Sequence, residues 1–315
     1  MITGTNGTGK THLLKILYSA CAITTGEDRE LSFAQKLTNV FRPYEDRIGR
    51  LARRQAVSVN SSILIESRDG RSLTYKFSNH TMEATNVRSS MQAAWKAEKI
   101  VSAYIPVKEM LAHAPGFIAT TSRRELAFED VYSDIIKLAF LPRLKGPPKL
   151  DRKQLLDKLE RAVDGKVITK GEHFFLKGSQ GELEFSLLAE GMRKLSLVWL
   201  LIQNGTLLNG SILFWDEPEA NLDPKLIEQL ADVMLQLQRN GVQIILTTHN
   251  HVLLRYIDLK RKKSDSVDFL NLMPSVDGVK VNVSKSLKGL SHLAISEAID
   301  DMYDAEIKNS INLGL

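Results

Sequence analysis

A glycine-rich run near the start of the chain has the composition of a phosphate-binding loop. Its members are Gly4, Thr5, Asn6, Gly7, Thr8, Gly9, Lys10 and Thr11, with His12 opening an apolar helical pattern. Glycines let the backbone wrap an anion so that successive N–H groups point inward, and the positive end of the following helix faces the same anion. Lys10 can reach the β- and γ-phosphates, and the Thr11 hydroxyl suits Mg²⁺. The run and His12 are therefore predicted to bind a nucleoside triphosphate.

Two later segments supply acidic and basic groups for such a site. The apolar run 212–215 precedes Asp216 and Glu217, and the largely apolar run 242–246 leads into Thr247, Thr248 and His249. Short apolar runs of this kind indicate strands of a parallel sheet that are buried on both faces. The carboxyl ends of such strands meet where α/β folds bind ligands. We therefore expect Asp216 to contact the metal ion and Glu217 to polarise the water that attacks the γ-phosphate.

Together these motifs resemble those of ABC-type ATPases. The run 216–224 resembles their Walker B motif and D-loop, and Thr248 with His249 resembles their switch histidine, which senses the γ-phosphate. The run 188–193 lies where their signature motif belongs. The likeness extends from the start of the chain to about residue 256. It is greatest to the soluble branch, which includes RecF-, SMC- and OLD-like heads and related AAA-family ATPases of bacterial defence and toxin–antitoxin operons.

The resemblance implies that the chain binds ATP with Mg²⁺ and hydrolyses the ATP. It also implies a homodimer in which two copies hold two nucleotides head to tail. Gly191, at the start of an apolar helix, would offer N–H groups to the γ-phosphate bound by the partner copy, while Asn221 and Asp223 would communicate across the dimer. ATP would then join the copies and hydrolysis would release them, which would regulate a protein partner or effector in an antiphage or toxin system.

Three departures from the family pattern bear on these expectations. Ala189 stands where a signature serine would donate to the γ-phosphate. No glutamine follows the strand pattern at 99–106, so Lys108 or Glu109 takes the place of a Q-loop residue. Only Met1, Ile2 and Thr3 precede the phosphate loop, which is fewer residues than a mean strand contains. We therefore expect the usual first strands to be missing and recognition of the adenine base to be impaired.

The order of elements predicts an α/β P-loop NTPase fold with a mostly parallel central sheet. We expect residues 1–106 and 188–315 to form the ATPase core, with an added antiparallel hairpin at 56–80. Residues 107–187 predict a helical insertion or lid that also contains short strand patterns at 166–170, 172–176 and 182–187. Further patterns predict a helix at 224–239, strands at 266–273 and 279–283, and a helix near 292–308.

The bulk composition is that of a globular chain, which we expect in the cytoplasm. Hydrophobic residues make up 43% of the 315 residues, and 42 Lys and Arg against 37 Asp and Glu give a net charge of +5. This mildly basic charge permits a nucleic acid as a partner without requiring one. Cys21 is the single cysteine, which excludes an internal disulfide, and no apolar run is long enough to cross a membrane.

Other classes of function fit part of the same pattern. Basic clusters at 47–54 and 260–263 are typical of solvated surfaces, but they also suit a phosphate backbone, as in a DNA-repair or chromosome-organising ATPase. Ala189 in the signature also fits a scaffold that binds ATP without turnover. The nucleotide-binding subunit of a membrane transporter is less favoured, because such subunits normally keep a fuller signature and a Q-loop glutamine.

Overall fold

Strands and helices alternate along the chain of the computed structural model, which describes residues 1–84, 91–122, 128–290 and 302–309. The strands are β1 (Ile2–Gly4), β2 (Asn60–Glu66), β3 (Ser72–Ser78), β4 (Ser102–Ile105), β5 (Gly165–Lys170), β6 (His173–Gly178), β7 (Gly181–Glu184), β8 (Ile212–Asp216), β9 (Gln243–Thr247), β10 (Phe269–Ser275) and β11 (Gly278–Ser284). The α-helices are α1 (Lys10–Ala22), α2 (Phe33–Phe41), α3 (Gln92–Trp95), α4 (Phe117–Ser122), α5 (Asp130–Ala139), α6 (Leu150–Val163), α7 (Glu190–Gln203), α8 (Pro224–Arg239) and α9 (His251–Lys260). Residues 302–309 are also helical.

The central sheet has the strand order β11-β10-β1-β9-β8-β4. The five strands β10, β1, β9, β8 and β4 run parallel to one another. The edge strand β11 pairs antiparallel with β10. The register places Asp216 beside Thr247, and Thr247 beside Ile2, so the carboxyl ends of β8, β9 and β1 lie together. The predicted P-loop NTPase fold with a mostly parallel sheet is confirmed.

The short strand β1 lies inside this sheet, between β10 and β9. Ile2 pairs with Leu270 on one side and with Thr247 on the other, and Gly4 pairs with Leu272. Although three residues are fewer than a mean strand, ladders on both sides supply the hydrogen bonds that an isolated segment of this length would lack. The residues before the phosphate loop are therefore enough to deliver the loop to the sheet edge.

Helices cover both faces of the sheet because β8 is apolar on both faces. Phe214 packs with Leu14 and Tyr18 of α1 on one face, whereas Leu213 and Trp215 pack with residues of α7 and α8 on the other. All five side chains are buried, and full burial of each such side chain stabilises the fold by roughly 1.5–3 kcal/mol. This packing fixes α1 and α7 relative to Asp216, the last residue of β8.

The added antiparallel hairpin is confirmed as β2 and β3. Ser67 accepts from the N–H of Gly70, whose φ of 89° suits glycine. Leu73, Tyr75 and Phe77 of β3 pack in a separate small core with residues of α2. The hairpin thus forms its own layer beside the helix that follows the phosphate loop.

Residues 107–187 contain α4, α5 and α6 and then the antiparallel sheet β5-β6-β7, close to the predicted strand patterns. Leu155 and Leu159 of α6 belong to the main hydrophobic core together with residues of α7 and α8. The division of the chain into a core and an insertion therefore stays a prediction. In the tail, β10 and β11 match the predicted strands, while most of the predicted helix near 292–308 lies outside the described residues.

Candidate active site

The loop between β1 and α1 has the backbone of an anion cradle. Gly7 and Gly9 have φ angles of 82° and 85°, a conformation that residues with a Cβ rarely adopt. Thr8 Oγ1 donates to the carbonyl of Thr5 at 2.8 Å, which closes the turn. Because α1 begins at Lys10, its unpaired N–H groups and the positive end of its dipole face this loop. The loop therefore fits a phosphate group.

Lys10 lies over the same loop. Its Nζ donates to the carbonyl oxygens of Gly4 at 2.8 Å and of Thr5 at 3.1 Å. Burial lowers the pKa of Lys10, while the nearby carboxylates of Glu217 and Asp216 act in the opposite direction. The sequence-predicted lysine and acids thus share one electrostatic environment.

The remaining loop residues differ in exposure. Gly4 ends β1, and Asn6 is exposed in the turn that follows it. His12, in the first turn of α1, packs its ring against Phe41 with 5.2 Å between the ring centroids. Burial is the main reason that the pKa of His12 is lowered.

Asp216 is the point at which the separate motifs meet. Thr11 Oγ1 donates to its Oδ1 at 3.2 Å, and Tyr104 Oη donates to its Oδ2 at 3.2 Å. Thr247 also donates its hydroxyl to Oδ1. The carboxylate is buried. The structure therefore brings the phosphate loop, β4, β8 and β9 to a single carboxyl group.

The chemistry of this oxygen set can be compared with what Mg²⁺ requires. Mg²⁺ prefers hard oxygen ligands and usually keeps water and substrate phosphate in its coordination shell, with only one or two protein carboxylates. Thr11 and Asp216 supply one hydroxyl and one carboxylate at 3.2 Å from each other. No group of three or more His, Cys, Asp or Glu side chains that could hold a metal occurs in the described part of the chain. The pair fits a nucleotide-dependent Mg²⁺ site, not a cage built entirely from protein.

Glu217 and His249 form the accessible side of the site. His249 Nε2 lies 2.8 Å from Glu217 Oε1, and their side chains are 45% and 25% exposed. Glu217 has a left-handed backbone, with a φ of 46°, and its N–H donates to the carbonyl of Thr247 at 3.1 Å. Glu217 and His249 are in hydrogen-bond contact with each other and partly exposed to solvent, and Glu217 directly follows Asp216. Such a pair can hold and activate a water molecule.

A second carboxylate supports the strand end that carries His249. Thr248 donates its N–H to the carbonyl of Ile2 at 3.0 Å and its hydroxyl to Glu219 Oε1 at 2.6 Å. Glu219 is buried, and this burial raises its pKa. Glu219 therefore fixes the side chain of Thr248, the residue next to His249, through a buried hydrogen bond.

The signature residues lie beside the loop that follows β8. A Cβ on Gly191 would come within 2.8 Å of the carbonyl oxygen of Asn221 and 3.0 Å of Leu222 Cα, so only glycine permits this close approach. Ala189 caps α7 without a side-chain hydrogen bond. Asp223 caps α8 by accepting from the N–H of Lys225 at 2.8 Å. Gly191, Asn221 and Asp223 are therefore close together within one copy of the chain, while their roles across a dimer stay predictions.

Several residues of the site have roles that the sequence alone does not predict. They are Tyr104, Thr247, Glu219 and Glu190, which contact Asp216, Thr248 or Asn221. Tyr104 carried a weak signal, since a hydroxyl in an otherwise apolar strand needs a buried partner. The others are ordinary polar residues whose importance depends on the sheet register and on the position of α7.

The fold and this site define a protein of the P-loop NTPase class. Residues 36–255, more than half of the chain, match the model of the family described as "AAA domain, putative AbiEii toxin, Type IV TA system". The chain belongs to this family. The resemblance to AAA-family ATPases is thereby confirmed.

Other proteins are similar to the chain over shorter stretches or at low identity. A stretch of 64 residues is 33% identical to the L-cystine import ATP-binding protein TcyN of Bacillus subtilis and covers 20% of this chain and 22% of that protein. An SmcHead bound to the C-winged helix domain of ScpA is 13% identical, with a TM-score of 0.49 over 91% of this chain and 90% of that chain. The SMC head domain from Thermotoga maritima is also 13% identical, with a TM-score of 0.41 over 90% and 89% of the two chains. The family assignment does not depend on these similarities.

Among the described residues, no helix is both long enough and apolar enough to cross a lipid bilayer.

Proposed function

We propose that the protein binds ATP with Mg²⁺ and hydrolyses it, and that ATP-driven dimerisation regulates a protein partner. One observation carries the proposal: Thr11 contacts Asp216, and Glu217, the residue after Asp216, contacts His249. The cradle, the metal ligands and the acid–histidine pair therefore serve one triphosphate at the carboxyl edge of the sheet.

Each residue has a distinct part in the reaction. The loop N–H groups and Lys10 bind the β- and γ-phosphates, and Thr11 and Asp216 hold the metal ion, which neutralises phosphate charge when bound. Glu217 accepts a proton from the attacking water while the water oxygen bonds to the γ-phosphorus. At the same time the bond between the γ-phosphorus and the β–γ bridging oxygen breaks, and that oxygen leaves with ADP. His249 orients Glu217 and the γ-phosphate. The products are ADP and inorganic phosphate.

Dimerisation is proposed because the N-terminus of α7 offers N–H groups at Gly191 beside the loop that carries Asn221 and Asp223. A helix N-terminus is a ready anion site, so a γ-phosphate held by one copy would attract α7 of the other. The family description names a type IV toxin–antitoxin system. We extend this to a partner or effector whose activity the ATP-bound dimer controls, in toxin regulation or antiphage defence.

The test combines turnover with oligomeric state. Glu217→Gln keeps the shape of the side chain but removes the base, so hydrolysis should fall by about 10²- to 10⁴-fold. The same variant should accumulate as a dimer with ATP and Mg²⁺ in light-scattering measurements, while the wild type returns to monomers as ATP is consumed. A Glu217→Gln protein that stays monomeric with ATP would contradict dimerisation, and unchanged turnover would contradict the assignment of the base.

A non-hydrolysing scaffold is the alternative that Ala189 supports, because α7 lacks a hydroxyl donor at its cap. In that case the wild type and Glu217→Gln would bind ATP equally and neither would release phosphate. The comparison of phosphate release between these two proteins separates an ATPase from a scaffold.

A nucleic-acid-associated ATPase is the second candidate, and an arginine cluster favours it. Arg53 and Arg54 are exposed, and the guanidinium of exposed Arg50 lies 5.5 Å from the ring centroid of Tyr44, which is 69% exposed. By contrast, Lys260 pairs with Glu228 and Asp232, and Arg261 pairs with Asp258. The cluster at 50–54 therefore suits a phosphate backbone better than the cluster at 260–263 does.

Salt dependence tests this candidate. Binding of a DNA duplex should weaken steeply as salt increases, and replacing Arg50, Arg53 and Arg54 by Gln should reduce the slope of log K against log salt by roughly three. The matched control replaces Lys262 and Lys263 by Gln and should leave the slope nearly unchanged. Absence of ATP-dependent duplex binding at low salt would exclude this role.

A further inference from the structure

Two loops meet at the first turn of α7, and Glu190 lies between them. One loop follows β4 and carries Glu109, and the other follows β8 and carries Asn221. Glu190 Oε1 accepts from the backbone N–H of Glu109 at 3.2 Å, and Oε2 accepts from Asn221 Nδ2 at 2.8 Å. A single carboxylate thus bridges loops that follow two neighbouring strands of the sheet.

The Glu109 end of the bridge is anchored in the interior. The side chain of Glu109 is fully buried, and its Oε2 accepts from Arg193 Nε at 2.6 Å. Arg193 Nη1 also donates to the carbonyl of Leu188 at 2.7 Å. Charge-assisted hydrogen bonds between buried groups are short and hold their geometry well. The loop after β4 is therefore a firm support for Glu190.

The Asn221 end of the bridge is held by α7 at three points. Besides the bond from Asn221 to Glu190, Lys194 Nζ donates to the carbonyl of Ala220 at 2.7 Å. Gly191 lies against the carbonyl oxygen of Asn221. Asn221 itself has a left-handed backbone, with a φ of 61°, which needs such support. The loop from 217 to 223 thus depends on α7 for its shape.

Both ends of the bridge connect to the candidate active site. Glu217 begins the loop that contains Asn221, and Tyr104 of β4 donates to Asp216. A shift of Glu190 would move Asn221, and this movement would be passed to Glu217 through residues 218–220 of the same loop. Because catalysis depends on placing the base within hydrogen-bond reach of the water, a shift of about 1 Å can slow turnover by about 100-fold.

We propose that Glu190 is a positioning residue for hydrolysis, which acts by holding Asn221 and the loop from 217 to 223 in the geometry that Glu217 requires. The inference rests on the proposed ATPase function. It gives Asn221 a role within its own subunit, in addition to any contact across a dimer. It also explains why an acidic residue lies at a helix N-terminus that we propose to bind a phosphate. Both carboxylate oxygens of Glu190 accept hydrogen bonds from N–H donors of the same chain.

The experiment reverses the direction of one hydrogen bond. In Glu190→Gln, the amide can satisfy only one of its two N–H donors, so kcat should fall roughly 10- to 100-fold while KM for ATP stays unchanged. In the double variant Glu190→Gln with Asn221→Asp, the introduced amide donates to the introduced carboxylate and its oxygen still accepts from Glu109. The double variant should recover most of the lost kcat. Glu184→Gln, an exposed acid outside this contact set, is the control and should behave as the wild type.

The outcomes separate the inference from the function on which it rests. A purely structural role would lower thermal stability and raise KM along with any loss of kcat, and the double variant would not recover. Normal turnover in the wild type with no loss in Glu190→Gln, or a loss without rescue, would overturn the inference alone. No turnover in the wild type would overturn the proposed hydrolysis as well.

Discussion

Two charged centres flank α1, and they are built in opposite ways. At the closed centre, Lys36 of α2 is fully buried, and its Nζ lies 2.7 Å from Asp28, 2.7 Å from Asp134 and 3.3 Å from Asp130. Tyr18 of α1 donates to Asp134 at 2.7 Å. Burial alone would lower the pKa of Lys36, but the three carboxylates outweigh it and raise the pKa. The protein supplies its own cation there.

The other centre is the candidate active site at the carboxyl ends of the parallel strands, which we call the open edge. There Asp216 accepts from hydroxyl groups, and Lys10 donates to backbone carbonyls instead of to a carboxylate. Glu217 and His249 remain partly exposed. The difference teaches how to distinguish a structural charge cluster from a reactive one. A lysine of the same protein neutralises the structural cluster, whereas at the proposed active site the acid Asp216 contacts hydroxyl groups, which suits the proposed binding of Mg²⁺ there.

The largest expected effect comes from breaking the closed centre. Lys36→Met should lower the free energy of unfolding by about 3–5 kcal/mol, because it leaves three carboxylates near a buried site without their cation. Urea denaturation measures this loss. The control is Lys137→Met, whose partner Glu27 is 87% exposed; its loss should stay within about 1 kcal/mol. Equal losses in the two variants would remove the contrast between the centres.

Asp216→Asn should have the opposite balance at the open edge. Turnover should fall at least about 100-fold, since the proposed Mg²⁺ site loses its protein carboxylate. The free energy of unfolding should stay equal or rise, because the change removes a buried charge that has only hydroxyl partners among the described contacts. Phosphate release and urea denaturation on the same preparation check both parts. A large loss of stability would place Asp216 with the structural acids.

Tyr104→Phe should have an intermediate effect. The variant removes one hydroxyl donor from Asp216, and a hydrogen bond to a charged group contributes about 1.5–3 kcal/mol. We expect kcat to fall about 10-fold with little change in the folded state. Tyr75→Phe is the matched control, because the buried hydroxyl of Tyr75 has no hydrogen-bond partner among the described residues; its kcat should not change. Equal rates for the two variants would show that Tyr104 does not hold Asp216.

The smallest effect is a pH dependence at Glu219. Because burial raises its pKa, the folded protein binds this proton more tightly than the unfolded chain does. The carboxyl group therefore lowers stability as the pH rises from the pKa of the unfolded chain through the higher pKa of the folded state. The free energy of unfolding of Glu219→Gln minus that of the wild type should therefore be larger at about pH 8 than at about pH 5. A gain that is independent of pH would show that Glu219 does not titrate in this way.

The sequence predicted the open edge because its residues occur in fixed local patterns. The phosphate loop, the strand ending at Asp216 and helix α8 (Pro224–Arg239) each show a recognisable pattern within one short stretch of sequence, and the predicted bounds of α8 are the ones that it has. Parallel pairing then brings their ends together. These are the parts of the fold and site that sequence reasoning reaches well.

The closed centre and the Glu190 bridge were out of reach for a physical reason. Lys36 meets Asp130 and Asp134 across 94 and 98 positions of the chain, and no spacing rule links a lysine to acids at that distance. Glu190 gains its partners only from the packing of α7 against two loops. Similarly, β1 is too short to be recognised alone and is a strand only because of its neighbours on both sides.

The left-handed backbone of Glu217 has a consequence for sequence comparison. A residue with a Cβ at a φ of 46° carries a conformational penalty of about 1–2 kcal/mol that glycine would avoid. A descendant of this protein that no longer needed the carboxylate would gain stability by exchanging it for glycine or asparagine. Retention of glutamate here would then mark lineages in which selection preserves the carboxylate at the expense of stability.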